Sequence, residues 1–131
     1  FSLTRPKGND CVEGASGMPV ISLGTDGNGL PIIDWGADPV IAVYVNSPGA
    51  NVPLGPGQTI SNGTAYWMLQ TASFPMGFSG PITYGTLPAG ATDISEANGA
   101  PLGGAQLEPG TCYEFNVITT SFAMSKYVKR W

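Results

Sequence analysis

Few side chains in this chain can do chemistry. Its 131 residues include nine Asp and Glu, five Lys and Arg, two Cys and no His. Without His there is no Ser-His-Asp triad, no imidazole acid–base pair and no ordinary zinc or copper site. Gly77-Phe78-Ser79-Gly80 lacks the Gly-x-Ser-x-Gly spacing that presents a serine as a nucleophile. Glycoside hydrolysis needs two positioned carboxylates. Only Glu114 falls in a clear strand, and its neighbours place it on a solvated or edge face. Asp26-Gly27-Asn28-Gly29 resembles part of a calcium loop, which needs oxygen ligands at fixed positions. With Asp26 third, Gly24 falls first and Trp35 falls at the closing position, so the pattern fails. An irregular oxygen site from Asp26, Asp34 and Asp38 remains the lesser reading beside a plain turn. The expectation is a protein with no catalytic residue, no metal and no cofactor.

The cysteines, Cys11 and Cys112, are too far apart for a Cys-x-x-Cys motif. A nucleophilic cysteine would want a basic partner. The favoured reading is a disulfide, and the alternative is two buried free thiols. Closing so long a loop removes about 4–5 kcal/mol of unfolded-state entropy in the chain model. A disulfide implies an oxidising compartment: extracellular, cell-surface or periplasmic. The first residue, Phe1, fits a processed or trimmed form. No apolar run is long enough for a membrane-spanning helix. Asn62-Gly63-Thr64 fits the N-glycosylation pattern.

Net charge is −4, which argues against nucleic acid as a partner. All five basic residues sit near the ends: Arg5, Lys7, Lys126, Lys129 and Arg130. The body between them holds every acid. One reading is that terminal lysines blunt a sheet edge. The sharper one is attraction between one molecule's ends and another's body. On that reading Lys126, Lys129, Arg130 and an anchoring Trp131 form a contact to a neighbouring subunit. Among the aromatics, Trp35, Tyr66, Trp67 and Trp131 are candidates for a platform that stacks on sugar rings. Core packing is the default for such large rings. Adjacent Tyr66 and Trp67 should point to opposite faces of a strand, one inward and one outward.

The elements that must position these residues are short strands. Gly and Pro number 19 and 12, yet 42% of residues are hydrophobic, enough for a packed core. Only 11% are charged, too few to clothe the outer faces of a helical bundle. Strands are expected over Phe1–Pro6, Pro19–Leu23, Leu30–Trp35, Val40–Val45, Thr64–Thr71, Ile82–Tyr84, Thr111–Thr119 and Ala123–Trp131. Lys7–Asp10 and Gly24–Gly29 read as turns, and Asn46–Gln58 and Phe74–Pro81 as loops. Val40–Val45 is apolar throughout, which predicts a central strand covered on both faces. Leu87–Gln106 is small, polar and Gly-rich, with little to bury. In Thr111–Thr119, Tyr113, Phe115 and Val117 alternate with Cys112, Glu114, Asn116 and Ile118. About seven to nine short strands predict an all-β, antiparallel two-sheet sandwich.

Leu107-Glu108-Pro109-Gly110-Thr111-Cys112-Tyr113-Glu114-Phe115-Asn116-Val117 resembles the penultimate-strand signature of fibronectin type III domains, Leu-x-Pro-x-Thr-x-Tyr-x-φ-x-Val, where φ is apolar. The resemblance implies an immunoglobulin-like sandwich in which Tyr113 forms a tyrosine corner: ring in the core, hydroxyl bonded back to backbone upstream. Trp35 and Tyr44 also sit roughly where that family places a core Trp and a following aromatic strand. Such a domain has about 90–100 residues, so about 30 are extra. The expected layout is one sandwich domain over 1–131, with 1–17 an added N-terminal segment. A Cys11–Cys112 bridge, which the family usually lacks, would pin that segment to the outer face of the Tyr113 strand. The expected function is a non-catalytic extracellular structural or adhesive module, such as a subunit of a surface assembly or fibre. Its partners would be a protein neighbour or a second copy, met through the terminal strands. The alternative is a carbohydrate-binding module or lectin using Trp35, Tyr66 and Trp67.

Overall fold

The structure, a computed structural model, describes residues 11–55 and 57–131. The strand expected over Phe1–Pro6, the turn over Lys7–Asp10, and Arg5 and Lys7 with them, lie outside the described residues. Among the described residues there are nine strands: β1 (Gly14–Gly17), β2 (Ser22–Thr25), β3 (Pro31–Asp34), β4 (Val40–Asn46), β5 (Ala65–Thr71), β6 (Ile82–Thr83), β7 (Ala91–Asp93), β8 (Cys112–Thr119) and β9 (Met124–Arg130). They form two antiparallel sheets. The larger has the order β1-β9-β8-β4-β5-β7, and the smaller β2-β3-β6. A single 3₁₀ turn, Glu96–Asn98, follows β7.

The core lies between the sheets. Val43, Val45, Trp67, Leu69, Tyr113, Phe115 and Val117 of the larger sheet meet Ile21, Ile33, Trp35, Phe78, Ile82 and Tyr84. Each such aliphatic or aromatic side chain contributes about 1.5–3 kcal/mol by leaving water. Every residue of β4 is buried, as its unbroken apolar run predicts. The cover on its other face comes from a source the sequence does not announce. Ile41, Ala42, Tyr44, Ala65, Met68 and Ile118 make a second cluster beneath Val52, Ile60 and Ile94. The β4–β5 connection therefore folds back over the outer face of the larger sheet. Asn51 and Ser61 exchange two backbone hydrogen bonds, at 2.9 and 3.0 Å, which close this connection on itself.

Several element boundaries differ from expectation. Strand β2 begins at Ser22, not Pro19. Ile21, just before it, is instead buried in the core. Strand β1, Gly-Ala-Ser-Gly, carries no hydrophobic alternation and is held by its pairing with Ser125–Val128 of β9. Gly17 has φ +83°, and a Cβ there would lie 2.8 Å from Ser125 Cα, so only glycine permits this close pairing. The Gly-rich Leu87–Gln106 stretch holds β7 and buries Ser95 and Ala100. Cys11 and Cys112 are joined, Cα to Cα 6.3 Å, across 101 residues of chain.

Candidate functional site

The aromatic platform expected of Trp35, Tyr66 and Trp67 does not assemble. Trp35 and Trp67 are buried in the main core. The Trp35 indole donates to Asp38 O at 2.7 Å, and its ring closes against Gly80, where a Cβ would lie 2.8 Å from Cη2. Tyr66 and Trp67 do not split between the two faces of β5. Val45 pairs with Trp67 and Asn46 with Ala65, so Tyr66 is the extra residue of a β-bulge. The bulge turns Tyr66 to the core side as well, edge-on to Tyr113 with ring centroids 4.9 Å apart. Burial raises the Tyr66 phenol above its ordinary pKa, with Tyr113 and Glu108 adding to the effect.

Of the basic C-terminal residues, Lys126 and Arg130 make contacts within the chain. Arg130 donates to Gly110 O at 2.7 Å, and its backbone N–H reaches a Glu13 carboxylate oxygen at 2.7 Å. Trp131 is half-buried against the core, its indole N–H donating to Gly29 O at 3.2 Å and its ring 6.3 Å from Phe115. On the reading that terminal lysines blunt a sheet edge, β9 is an edge strand. It lies instead between β1 and β8, so Ser125–Val128 has no open backbone edge. The aspartates do not converge either. Asp26 Oδ1 accepts the N–H groups of Asn28 and Leu30 at the β2–β3 turn, whereas Asp34, at the far end of β3, accepts Gly36 N–H. Each carboxylate satisfies a turn.

Tyr113 sits where the sequence places it. It is buried near the start of β8, and its hydroxyl accepts Glu108 N–H at 2.7 Å.

Two surfaces stand out. The first is the end of the sandwich formed by the β1–β2, β5–β6 and β8–β9 connections. It exposes Met18 (69%), Phe74 (48%), Met76 (71%) and Phe122 (49%). The Phe74 and Phe122 rings lie 6.1 Å apart, centroid to centroid. Gly77 brings the β5–β6 loop hard against the β8–β9 turn, since a Cβ there would lie 2.9 Å from Thr120 Cγ2. Met18 shares a groove with Thr119–Ser121 and Ala123 of that turn. Phe122 has φ +64°, a left-handed conformation unfavourable for a bulky side chain. The turn is nonetheless fixed: Phe122 N–H donates to Thr119 O at 2.9 Å and Ala123 N–H to Thr119 Oγ1 at 3.1 Å.

The second surface is a cleft of about 480 Å³ on the outer face of the larger sheet. Ala50–Val52 and Leu54 form one wall, Met124 and Lys126 the other, and Glu114 and Asn116 the floor. The expectation that Glu114 is solvated or at an edge is wrong: it is 3% exposed. The folded-back β4–β5 connection covers it. Glu114 Oε1 accepts Gly49 N–H at 3.3 Å and has Lys126 Nζ at 3.8 Å. Its Oε2 accepts Asn46 Nδ2 at 3.2 Å and Asn116 Nδ2 at 3.3 Å. Beside this row, Gln70 accepts Gly57 N–H at 2.8 Å and donates to Gly55 O at 3.0 Å and Tyr44 Oη at 2.7 Å. Burial pushes the Tyr44 phenol up to about 12, partly offset by the Gln70 hydrogen bond. No cue of period or motif marks this polar row. Its signal is weaker: Glu114 and Asn116 interrupt an otherwise apolar run in β8, and Asn46 and Gln70 fall at the ends of the apolar runs of β4 and β5.

No family model, curated protein or solved structure matches the chain.

Proposed function

We propose that the protein is a non-catalytic structural or adhesive module of an extracellular assembly, of fibronectin type III-like build, that meets a second copy of itself through the loop end carrying Phe74 and Phe122. The observation that carries this reading is the exposed apolar face of Met18, Phe74, Met76 and Phe122 on three abutting loops. Exposed apolar patches of this kind mark contact surfaces, and methionine and phenylalanine are enriched in them. Methionine adapts its shape to a partner at little cost. The long-range disulfide supports a location outside the reducing cytosol. The buried Tyr113, bonded back to Glu108, supports the fibronectin type III-like build.

Sedimentation velocity over a range up to about 1 mM tests the association. The wild type should form dimers or larger species, and Phe74→Ser with Phe122→Ser should return it to monomer. An apolar contact of this kind should persist in high salt, unlike one made by Lys126, Lys129 and Arg130. A wild-type protein that stays monomeric, like the double variant, would overturn the proposal.

A further inference from the structure

The cleft over Glu114 lies on a different face from the Phe74–Phe122 surface and has different chemistry. Its floor is a carboxylate held almost out of water. A carboxylate so placed is costly unless it is compensated. Three of its four close partners are neutral: the Gly49 amide and the side-chain amides of Asn46 and Asn116. They fix both oxygens in place without cancelling the charge. Among the described residues, the cation that reaches it is Lys126, whose Nζ stands 3.8 Å from Oε1 on a side chain 51% exposed. A full charge-assisted contact is shorter, about 2.7–2.9 Å. Lys126 therefore borders the carboxylate without closing on it, and Glu114 still lines the open cleft. Above the floor, Val52, Leu54 and Met124 supply apolar walls. A charged acceptor at the base of an apolar slot fits a cation carried on an alkyl stem. The net charge of −4 favours the approach of such a group.

We propose that this cleft is a binding site for a primary alkylammonium group, with Glu114 accepting the ammonium and Val52, Leu54 and Met124 packing on the stem. The group can belong to a free amine or to the lysine side chain of a peptide, and the test separates the two sources. Lys126 is the internal competitor, since its ammonium already stands at the rim.

The test is an NMR titration of the isotope-labelled protein, following the Gly49 backbone amide and the Asn46 and Asn116 side-chain amides. The probes are n-butylammonium chloride and a blocked Gly-Lys-Gly peptide. Sodium chloride and n-butanol serve as controls for charge alone and stem alone. Saturable shifts confined to the cleft are expected with n-butylammonium, with a Kd on the order of millimolar. Tighter binding of the peptide would identify lysine as the source; equal or weaker binding would identify a free amine. Glu114→Gln should abolish the shifts. Lys126→Met, at a half-exposed position, should tighten binding roughly twofold to fivefold by removing the competing charge. If Glu114→Gln does not fold, Lys126→Met still decides. The proposal is overturned by no saturable shift in wild type, by equal binding in Glu114→Gln, or by weaker binding in Lys126→Met.

Discussion

At Tyr113 the hydroxyl accepts the Glu108 N–H at 2.7 Å, tying the approach to β8 onto the core. Tyr113→Phe keeps the ring and removes that acceptor. The Glu108 amide is left without its partner, so equilibrium urea unfolding should show a loss of about 1–3 kcal/mol. Phe122 behaves in the opposite sense. Its φ of +64° costs a non-glycine residue about 1–2 kcal/mol, and its ring is half exposed. Phe122→Gly relieves that cost but adds freedom to the unfolded chain. The same unfolding experiment should find it neutral to about 1 kcal/mol more stable, while sedimentation shows weaker self-association. A residue kept for packing would give the reverse: lower stability and unchanged association.

The β4–β5 connection is the element whose role differs most from its composition. Pro and Gly mark it as loop, yet it packs the partly buried Val52 and Ile60 against Ala42, Tyr44 and Met68. Its backbone is held by side chains of the sheet beneath and of the 3₁₀ turn after β7. Gln70 holds Gly55 and Gly57, Glu114 holds Gly49, and Asn98 accepts Ile60 N–H at 2.6 Å. Gln70→Leu removes two of these anchors and strands the Gly57 N–H. Amide hydrogen exchange should then speed up at Gly57 and Ile60 but not in β8, with a global loss of about 1–3 kcal/mol. Uniform exchange across both segments would mean that the connection unfolds only with the whole domain.

For the molecule as a whole, the bridge from Cys11 to Cys112 closes a loop that holds β1 to β7, with β8 and β9 running on beyond it. Cys11→Ala should cost about 2–5 kcal/mol, read as a lower denaturant midpoint that reduction lowers no further. The buried tyrosines set the alkaline limit. Burial raises the Tyr44 phenol to about 12 and also raises that of Tyr84, where nearby Tyr113, Asp93 and Tyr66 add to it. Unfolded tyrosines ionise near 10, so the native state holds its protons longer than the unfolded chain. The stabilisation is therefore complete below pH 10 and is lost as pH rises from 10 towards 12. Absorbance at 295 nm should show late-ionising tyrosines released together with unfolding in this window. Normal ionisation of every tyrosine near pH 10 in the folded protein would contradict this.

The sequence by itself determined the strand-rich class, because apolar alternation, β-branching and Gly/Pro turns are local properties. It also located β4 as a buried central strand, since an unbroken apolar run carries that reading within a few residues, and the resemblance pointed to Tyr113 as a buried ring. It pointed to the Cys11–Cys112 pairing, because a chain with only two cysteines has one intramolecular partner to offer. Only the tertiary structure decided the surfaces. Whether Glu114 meets water depends on where the β4–β5 connection lands, which is set by contacts from Val52, Ile60 and Gln70, not by the alternation of β8. Whether Trp35, Tyr66 and Trp67 face outward depends on the bulge at Tyr66 and the depth of the core between the sheets. Strand β1 has no apolar pattern of its own and exists through its hydrogen bonds to β9. The Phe74–Phe122 face forms because three loops, far apart in the chain, end at the same side of the sandwich. Local chemistry specifies a strand, but exposure is a property of what the rest of the chain lays over it.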